Sequence, residues 1–117
     1  WRGLAASVIE SGLTALGAKP QELLAWVGPG IGRDVFVVGG EVHQQLTCQL
    51  PTHVQAFASH GDKWRADLSR MIEQRLQWAG VAEIRRSETC TAKNPAAWFS
   101  HRRDGRCGRM ASLIWLA

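Results

Sequence analysis

The Asp104-Gly105 pair is the strongest local folding signal in this chain, and apolar, strand-like residues flank it on both sides. A tight type I′ turn needs positive φ at both central residues, and Asp-Gly is one of the few dipeptides that supply it. The sequence therefore predicts an antiparallel hairpin over residues 98–116. Its second strand is apolar enough to be central in a sheet.

The same segment is the most basic part of the chain. Four arginines and one acid give it a local charge of +3 in a chain whose total is +4. The arginines are Arg102, Arg103, Arg106 and Arg109. Concentrated guanidinium groups favour an anionic ligand. A solvated turn that carries surface arginines is the alternative, and the residues alone leave both interpretations open.

Helical and strand-like patterns alternate before this segment. Apolar residues at helical spacing predict helices over 4–16, 42–50 and 68–79. Short apolar runs predict strands over 23–27, 35–38 and 81–86, the first of them buried. Residues 52–63 are poorly patterned and indicate a loop or short helix. The order predicts an α/β (α+β) fold, with a mixed sheet and flanking helices.

Composition limits the class of protein. A chain of 117 residues forms one domain or less, and no apolar run approaches the ~20 residues of a membrane span. Because the basic charge sits mostly in one turn, nucleic-acid binding is not favoured and neither is a membrane partner. Three cysteines without metal-like spacing indicate a reduced, cytoplasmic protein.

The histidines and cysteines form no recognisable metal site. His-x-x-x-His and Cys-x-x-Cys are both absent from the sequence, so no metal-binding residue is assigned within this chain. His43 follows an apolar helical position and is expected to face solvent. His101 is either a neighbour of an anionic ligand or a residue paired across the hairpin.

The thiols and acids are assigned structural roles more readily than catalytic ones. Cys90 is expected to be buried and inert, with nucleophilic chemistry as the alternative. Cys48 is interpreted as a helical core or boundary residue, and Cys107 lies in the arginine turn. Asp67 precedes the helix at 68–79 and is expected to cap it.

Several short motifs carry a resemblance to a known family. They lie in order along the chain: Trp1-Arg2-Gly3-Leu4, Gly28-Pro29-Gly30-Ile31-Gly32, Val38-Gly39-Gly40-Glu41-Val42, Trp64-x-x-Asp67-Leu68, Cys90-Thr91, and Phe99-Ser100 with Arg102-Arg103-Asp104-Gly105 and Gly108-Arg109-Met110-Ala111-Ser112. Together they resemble the YfiH family, also called the laccase-domain or multicopper polyphenol oxidase family. The resemblance covers residues 1–117.

The resemblance implies that these residues are the C-terminal half of a single domain whose N-terminal half is absent. The complete domain would be a layered α/β/β/α sandwich, as in the catalytic domain of cytotoxic necrotizing factor. Family members hold a zinc ion with a histidine of a His-Ala-Gly motif and an upstream histidine and cysteine. All three would precede Trp1, so no cofactor is expected for this chain alone, with copper as the alternative metal of the full-length family.

The activity implied is that of a purine nucleoside phosphorylase acting on adenosine, inosine or guanosine with phosphate, and on adenosine by deamination in some relatives. The chain alone is expected to be inactive without its missing N-terminal half as partner. Arg102 and Arg103 are the phosphate-binding candidates, with Arg2 and Arg109 behind them. Only one of the adjacent pair is expected to face the site, while the other pairs with an acid or lies in solvent.

Two positions depart from the family pattern, and other functions stay open. Ala92 and His101 stand where the family tends to have tyrosine, so a substrate contact made by either tyrosine is not carried over to this chain. The alternative functions are a laccase-like copper oxidase of phenols, a peptidoglycan-editing amidase, and a non-catalytic fragment or binding module. A large exposed apolar surface would favour the last of these.

Overall fold

The computed structural model describes residues 1–115. These residues form five helices and five strands, together with short 3-10 turns at Pro20–Glu22 and Pro51–Ala56. The helices are α1 (Arg2–Ala5), α2 (Val8–Leu16), α3 (Gly40–Gln49), α4 (Leu68–Trp78) and α5 (His101–Asp104). The strands are β1 (Leu24–Val27), β2 (Val37–Val38), β3 (Phe57–His60), β4 (Lys63–Ala66) and β5 (Glu83–Arg86).

The strands form two sheets, which confirms the α/β class with both parallel and antiparallel pairing. Strands β1 and β5 pair in parallel, with Leu24 opposite Glu83 and Val27 opposite Arg86. The second sheet is antiparallel and has the order β2-β4-β3. The loop after β1 is tied to the loop after β5 by a bridge between Gly30 and Cys90.

The hairpin predicted over residues 98–116 is wrong. Residues 101–104 form the short helix α5, and no described residue after it belongs to a strand. Of the Asp104-Gly105 pair only Gly105 has positive φ, at +67°. Asp104 instead accepts a hydrogen bond from the backbone nitrogen of Ser100, which favours a helical turn. Leu116, the predicted end of the hairpin, lies outside the described residues.

A different hairpin forms where the sequence indicates a loop or short helix. Phe57 pairs with Ala66, and His60 pairs with Lys63 across the two-residue connection Gly61-Asp62. Gly61 has φ of +62°, a conformation that glycine adopts without steric cost. The 3-10 turn before β3 accounts for the helical part of that prediction.

The helix predicted over 4–16 is two helices. Ser7 has φ of +56° and ψ of +38°, which is the left-handed region, so the chain changes direction between α1 and α2. The turn lets Leu4 enter the main core while Leu13 packs against a second, smaller one. Gly17 ends α2 with φ of +66°, as expected for a glycine after a helix.

Two hydrophobic clusters hold the elements together. The larger one lies between α1, α3, α4 and the antiparallel sheet, and includes the fully buried Leu46 and Met71. The smaller one joins α4 to β1 through Val27, Leu76 and Val81.

Much apolar surface remains outside these clusters. The prediction that β1 is buried is wrong for Leu24 and Trp26, which are both more than half exposed. Leu113, Ile114 and Trp115 are exposed over 77–98% of their surface. Within residues 1–115, the helices are all too short or too polar to cross a bilayer.

Candidate functional site

A cleft of about 310 Å³ lies where α1, the loop after β1, the start of α4 and α5 meet. Its walls combine aromatic and cationic side chains that come from distant parts of the sequence. The aromatic ones are Trp1, Phe36 and Phe99. The basic ones are Arg2, His101 and Arg102. Flat apolar walls beside guanidinium groups suit a planar ligand with an anionic part.

Arg102 is anchored at the cleft wall. Its Nη1 donates to the backbone oxygen of Val37 at 2.7 Å, and its guanidinium carbon lies 4.9 Å from the centre of the Phe36 ring. A guanidinium group has five N–H donors in a fixed plane. The bond to Val37 therefore fixes the group at the cleft while most of its donor capacity remains for a ligand.

Arg103 is committed to the protein itself. Its guanidinium donates to three backbone oxygens, those of Thr91, Ala92 and Trp98. It also pairs with the carboxylate of Asp104 at 2.6 Å. This hydrogen bond raises the pKa of Arg103 and lowers that of Asp104. The structure thus places Arg103 as a brace between α5 and the loop at 91–92, with its N–H groups bonded to the protein itself.

The two remaining candidates, Arg2 and Arg109, also differ in whether they line the cleft. Arg2 lies on α1 and lines the cleft, with its guanidinium carbon 5.0 Å from the centre of the Trp1 ring. Arg109 lies outside the cleft, where it donates to the backbone oxygens of Cys107 and Gly108. Of the four arginines predicted as phosphate-binding, the structure brings Arg2 and Arg102 together.

His101 is the first residue of α5 and lines the cleft beside Arg102. Its Nδ1 lies 2.5 Å from the backbone oxygen of Gly105. With no hairpin in this region, the expectation that His101 pairs across one falls away.

The aromatic walls have no signature in the sequence. The apolar run at 35–38 predicts Phe36 in a strand, whereas it lies just before β2 and is almost completely buried at the cleft. Trp1 belongs to a motif of the family resemblance, and Phe99 to the segment 98–116 of the predicted hairpin. No local pattern shows that residues so far apart in sequence meet.

His43 and His53 both pack against other side chains. The prediction that His43 faces solvent is wrong, because its ring stacks on Trp64 with centroids 4.0 Å apart and meets Phe57 edge-on at 4.7 Å. His53 is fully buried in a polar network. Neither lies at the cleft.

The cysteines differ in their surroundings. Cys90 is half-buried, and its Sγ accepts the backbone N–H of Gly32 at 3.1 Å. Cys48 is exposed, so its assignment to a core or boundary position is wrong. Among residues 1–115, no three His, Cys, Asp or Glu side chains lie close enough together to hold a metal ion. The side chains of residues 1–115 therefore do not by themselves fit a zinc or copper centre.

Comparison with known proteins places this arrangement in context. The model of a family described as multi-copper polyphenol oxidoreductase laccase matches residues 1–117. The chain is 43% identical over 116 residues to the purine nucleoside phosphorylase YfiH of Escherichia coli, covering 99% of this chain and 48% of that protein. It is 40% identical over 118 residues to the purine nucleoside phosphorylase PA4543 of Pseudomonas aeruginosa, covering 99% and 49%.

Solved structures give the same picture. The crystal structure of Neisseria meningitidis protein NMB0706 superposes with a TM-score of 0.85 at 33% identity, covering 90% of this chain and 44% of that one. The hypothetical protein YfiH of Bacillus licheniformis superposes with a TM-score of 0.74 at 30% identity, covering 88% and 40%. The chain spans about half the length of the curated relatives it matches.

Proposed function

The chain belongs to the multi-copper polyphenol oxidoreductase laccase family, and on that premise we propose that it is part of a purine nucleoside phosphorylase whose cleft binds phosphate and a purine nucleoside. The names of the similar proteins from Escherichia coli and Pseudomonas aeruginosa support this activity over the other functions considered. Adenosine, inosine and guanosine are the proposed substrates.

One observation carries the proposal: the convergence of Arg2 and Arg102 in a cleft with aromatic walls. Phosphate is held by cationic donors, and a planar fork presents two N–H groups to two of its oxygens. A purine is a flat aromatic base whose faces stack on aromatic rings. The two kinds of wall therefore match the two halves of the substrate pair.

The reaction needs the two substrates to be held in line. A phosphate oxygen forms a bond to C1′ of the ribose while the bond from C1′ to N9 of the purine breaks. The bonding electrons leave with the base, which then takes up a proton. The arginines neutralise the phosphate charge and fix the attacking oxygen, so they act through positioning and electrostatics.

The proposal includes residues outside this chain, because the chain corresponds to about half of each relative. The rest of the natural polypeptide would supply the zinc ligands that the family resemblance implies. It would also cover the exposed apolar residues of β1 and of the segment 113–115. No step of the reaction above is assigned to the metal.

The test is phosphate-dependent cleavage of inosine by the natural protein that carries this sequence. We expect hypoxanthine and ribose 1-phosphate in equal amounts. Arg102→Lys keeps the charge but loses the fork, and should lower kcat/KM for phosphate about ten- to a hundredfold, which corresponds to about 1.5–3 kcal/mol for a charge-assisted contact.

Arg109→Lys is the matched control, because Arg109 is an equally basic residue that lies outside the cleft. It should leave kcat/KM for phosphate near that of the parent protein. Inosine cleavage that does not depend on phosphate, or an equal loss in the two variants, would contradict the proposal.

A further inference from the structure

The ring of His101 lines the cleft, and one of its two nitrogens already has a hydrogen-bond partner in the protein. A carbonyl oxygen only accepts hydrogen bonds, so the contact of Nδ1 with the oxygen of Gly105 requires a proton on Nδ1. Gly105 has φ of +67°, and its backbone nitrogen donates a hydrogen bond to the backbone oxygen of His101. The ring is thereby oriented, and Nε2 is the nitrogen that remains for a ligand.

The charges around His101 are mostly positive. They are Arg2 on α1 and Arg102, Arg103 and Asp104 on α5. The one carboxylate among them, on Asp104, is paired with Arg103. The residues that the loop after β1, the start of α4 and the loop at 91–92 bring to the cleft are uncharged: Ile31, Phe36, Leu68 and Thr91.

We infer that His101 is a third anion-contacting group of this cleft, whose imidazolium form donates from Nε2 to the phosphate that Arg2 and Arg102 hold. The inference rests on the proposed function in taking phosphate as the natural anion. Histidine is the side chain whose charge ordinarily changes between pH 5 and 8. The neutral ring, with its proton on Nδ1, has no proton on Nε2 to donate, whereas the imidazolium form donates a charge-assisted hydrogen bond from Nε2. Anion binding through His101 is therefore expected to strengthen as the pH falls.

Sulfate is the probe for this pH dependence, because it stays a dianion over the pH range in which phosphate itself titrates. The dissociation constant of sulfate is measured calorimetrically on the natural protein at pH 5.5 and pH 8, at constant ionic strength. We expect binding to be about tenfold tighter at pH 5.5.

His101→Asn is the informative variant. An asparagine amide can keep the hydrogen bond to the oxygen of Gly105, but it cannot become a cation. We expect its sulfate affinity to be independent of pH and close to that of the parent protein at pH 8. His60→Asn is the matched control, because His60 is an exposed histidine on β3 outside the cleft, and it should retain the full pH dependence.

The inference is overturned if the parent protein binds no sulfate, if its sulfate affinity does not change with pH, or if His101→Asn keeps the same change. These outcomes are separate from the activity. A protein that binds sulfate with the expected pH dependence but cleaves no inosine would refute the proposed function alone. One that cleaves inosine but shows no role for His101 would refute only this inference.

Discussion

Arg75 donates its Nε–H to Nε2 of His53 across 3.2 Å in the interior of the molecule. The other ring nitrogen, Nδ1, lies 2.9 Å from Oε1 of Gln74 and must donate to it. Both nitrogens of the fully buried ring are thus assigned, and the ring is neutral. Burial lowers the pKa of His53, and the charge of Arg75 lowers it further.

The first prediction concerns the pH dependence of stability. Because the pKa of His53 in the folded protein lies below its usual 6.5, the unfolded chain binds a proton that the folded protein excludes. His53 therefore contributes stability above about pH 6.5 that is lost as the pH falls through the folded pKa. Urea denaturation at pH 7.5 and pH 5 should show the lower free energy of unfolding at pH 5. His53→Gln should reduce this difference, and His60→Gln should preserve it.

The second prediction concerns Arg75 itself, which is 5% exposed and also donates to Glu10 at 2.8 Å and to Gln49. Arg75→Met leaves three buried or partly buried polar groups without their partner. We expect a loss of about 3–5 kcal/mol in the free energy of unfolding. Arg85→Met is the control, since Arg85 pairs with Glu83 at the exposed surface and should cost about 0–1 kcal/mol. Similar losses in the two variants would disprove the structural role given to Arg75.

The third prediction compares the effects on stability of replacing two adjacent arginines, Arg102 and Arg103. Lysine offers a single ammonium group and cannot reach the three backbone oxygens and the carboxylate that Arg103 contacts. Arg103→Lys should therefore lower the free energy of unfolding. Arg102→Lys loses one hydrogen bond to Val37 and should be less destabilising. Thermal denaturation of both variants checks the order, and a reversed order would refute the assignment of Arg103 as the brace.

The fourth prediction concerns the left-handed conformation of Ser7. Residues other than glycine adopt this conformation at a cost of about 1–2 kcal/mol. Part of the gain from glycine is offset by its greater freedom in the unfolded chain, so Ser7→Gly should stabilise the protein by about 0.5 kcal/mol. Ser11→Gly, the same change inside α2, should instead destabilise by about 0.5 kcal/mol. Chemical denaturation that gives both changes the same sign would contradict this account.

The sequence predicted best where a pattern repeats over several turns. Helices α3 and α4 lie within about two residues of their predicted bounds, because each buries one continuous apolar face. The capping role of Asp67 is confirmed by the 2.9 Å hydrogen bond from the nitrogen of Arg70 to its carboxylate. These features depend on residues that are close in sequence, so the local pattern is enough to predict them.

Turns and the site depend on contacts between distant residues. Asp104-Gly105 has the composition of a hairpin turn, but the pairing of Asp104 with Arg103 and Ser100 stabilises a helical turn instead. Gly61-Asp62 forms the hairpin, although its strands carry polar residues that obscure the alternation. The meeting of Arg2 with Arg102 has no local signature, because the two residues are 100 positions apart: local charge indicates Arg102, whereas only the family resemblance points to Arg2.

The contacts between the loop after β1 and the loop after β5 have a kinetic consequence. Gly32 and Cys90, which share a hydrogen bond, are 58 positions apart, and β1 and β5 pair across a similar separation. Closing a loop of this length lowers the entropy of the chain before any stabilising contact has formed. Such non-local pairing therefore slows folding. The helices and the β3–β4 hairpin can form from neighbouring residues, whereas the cleft needs both ends of the chain. Its walls should therefore acquire protection from hydrogen exchange later in refolding than α4 does.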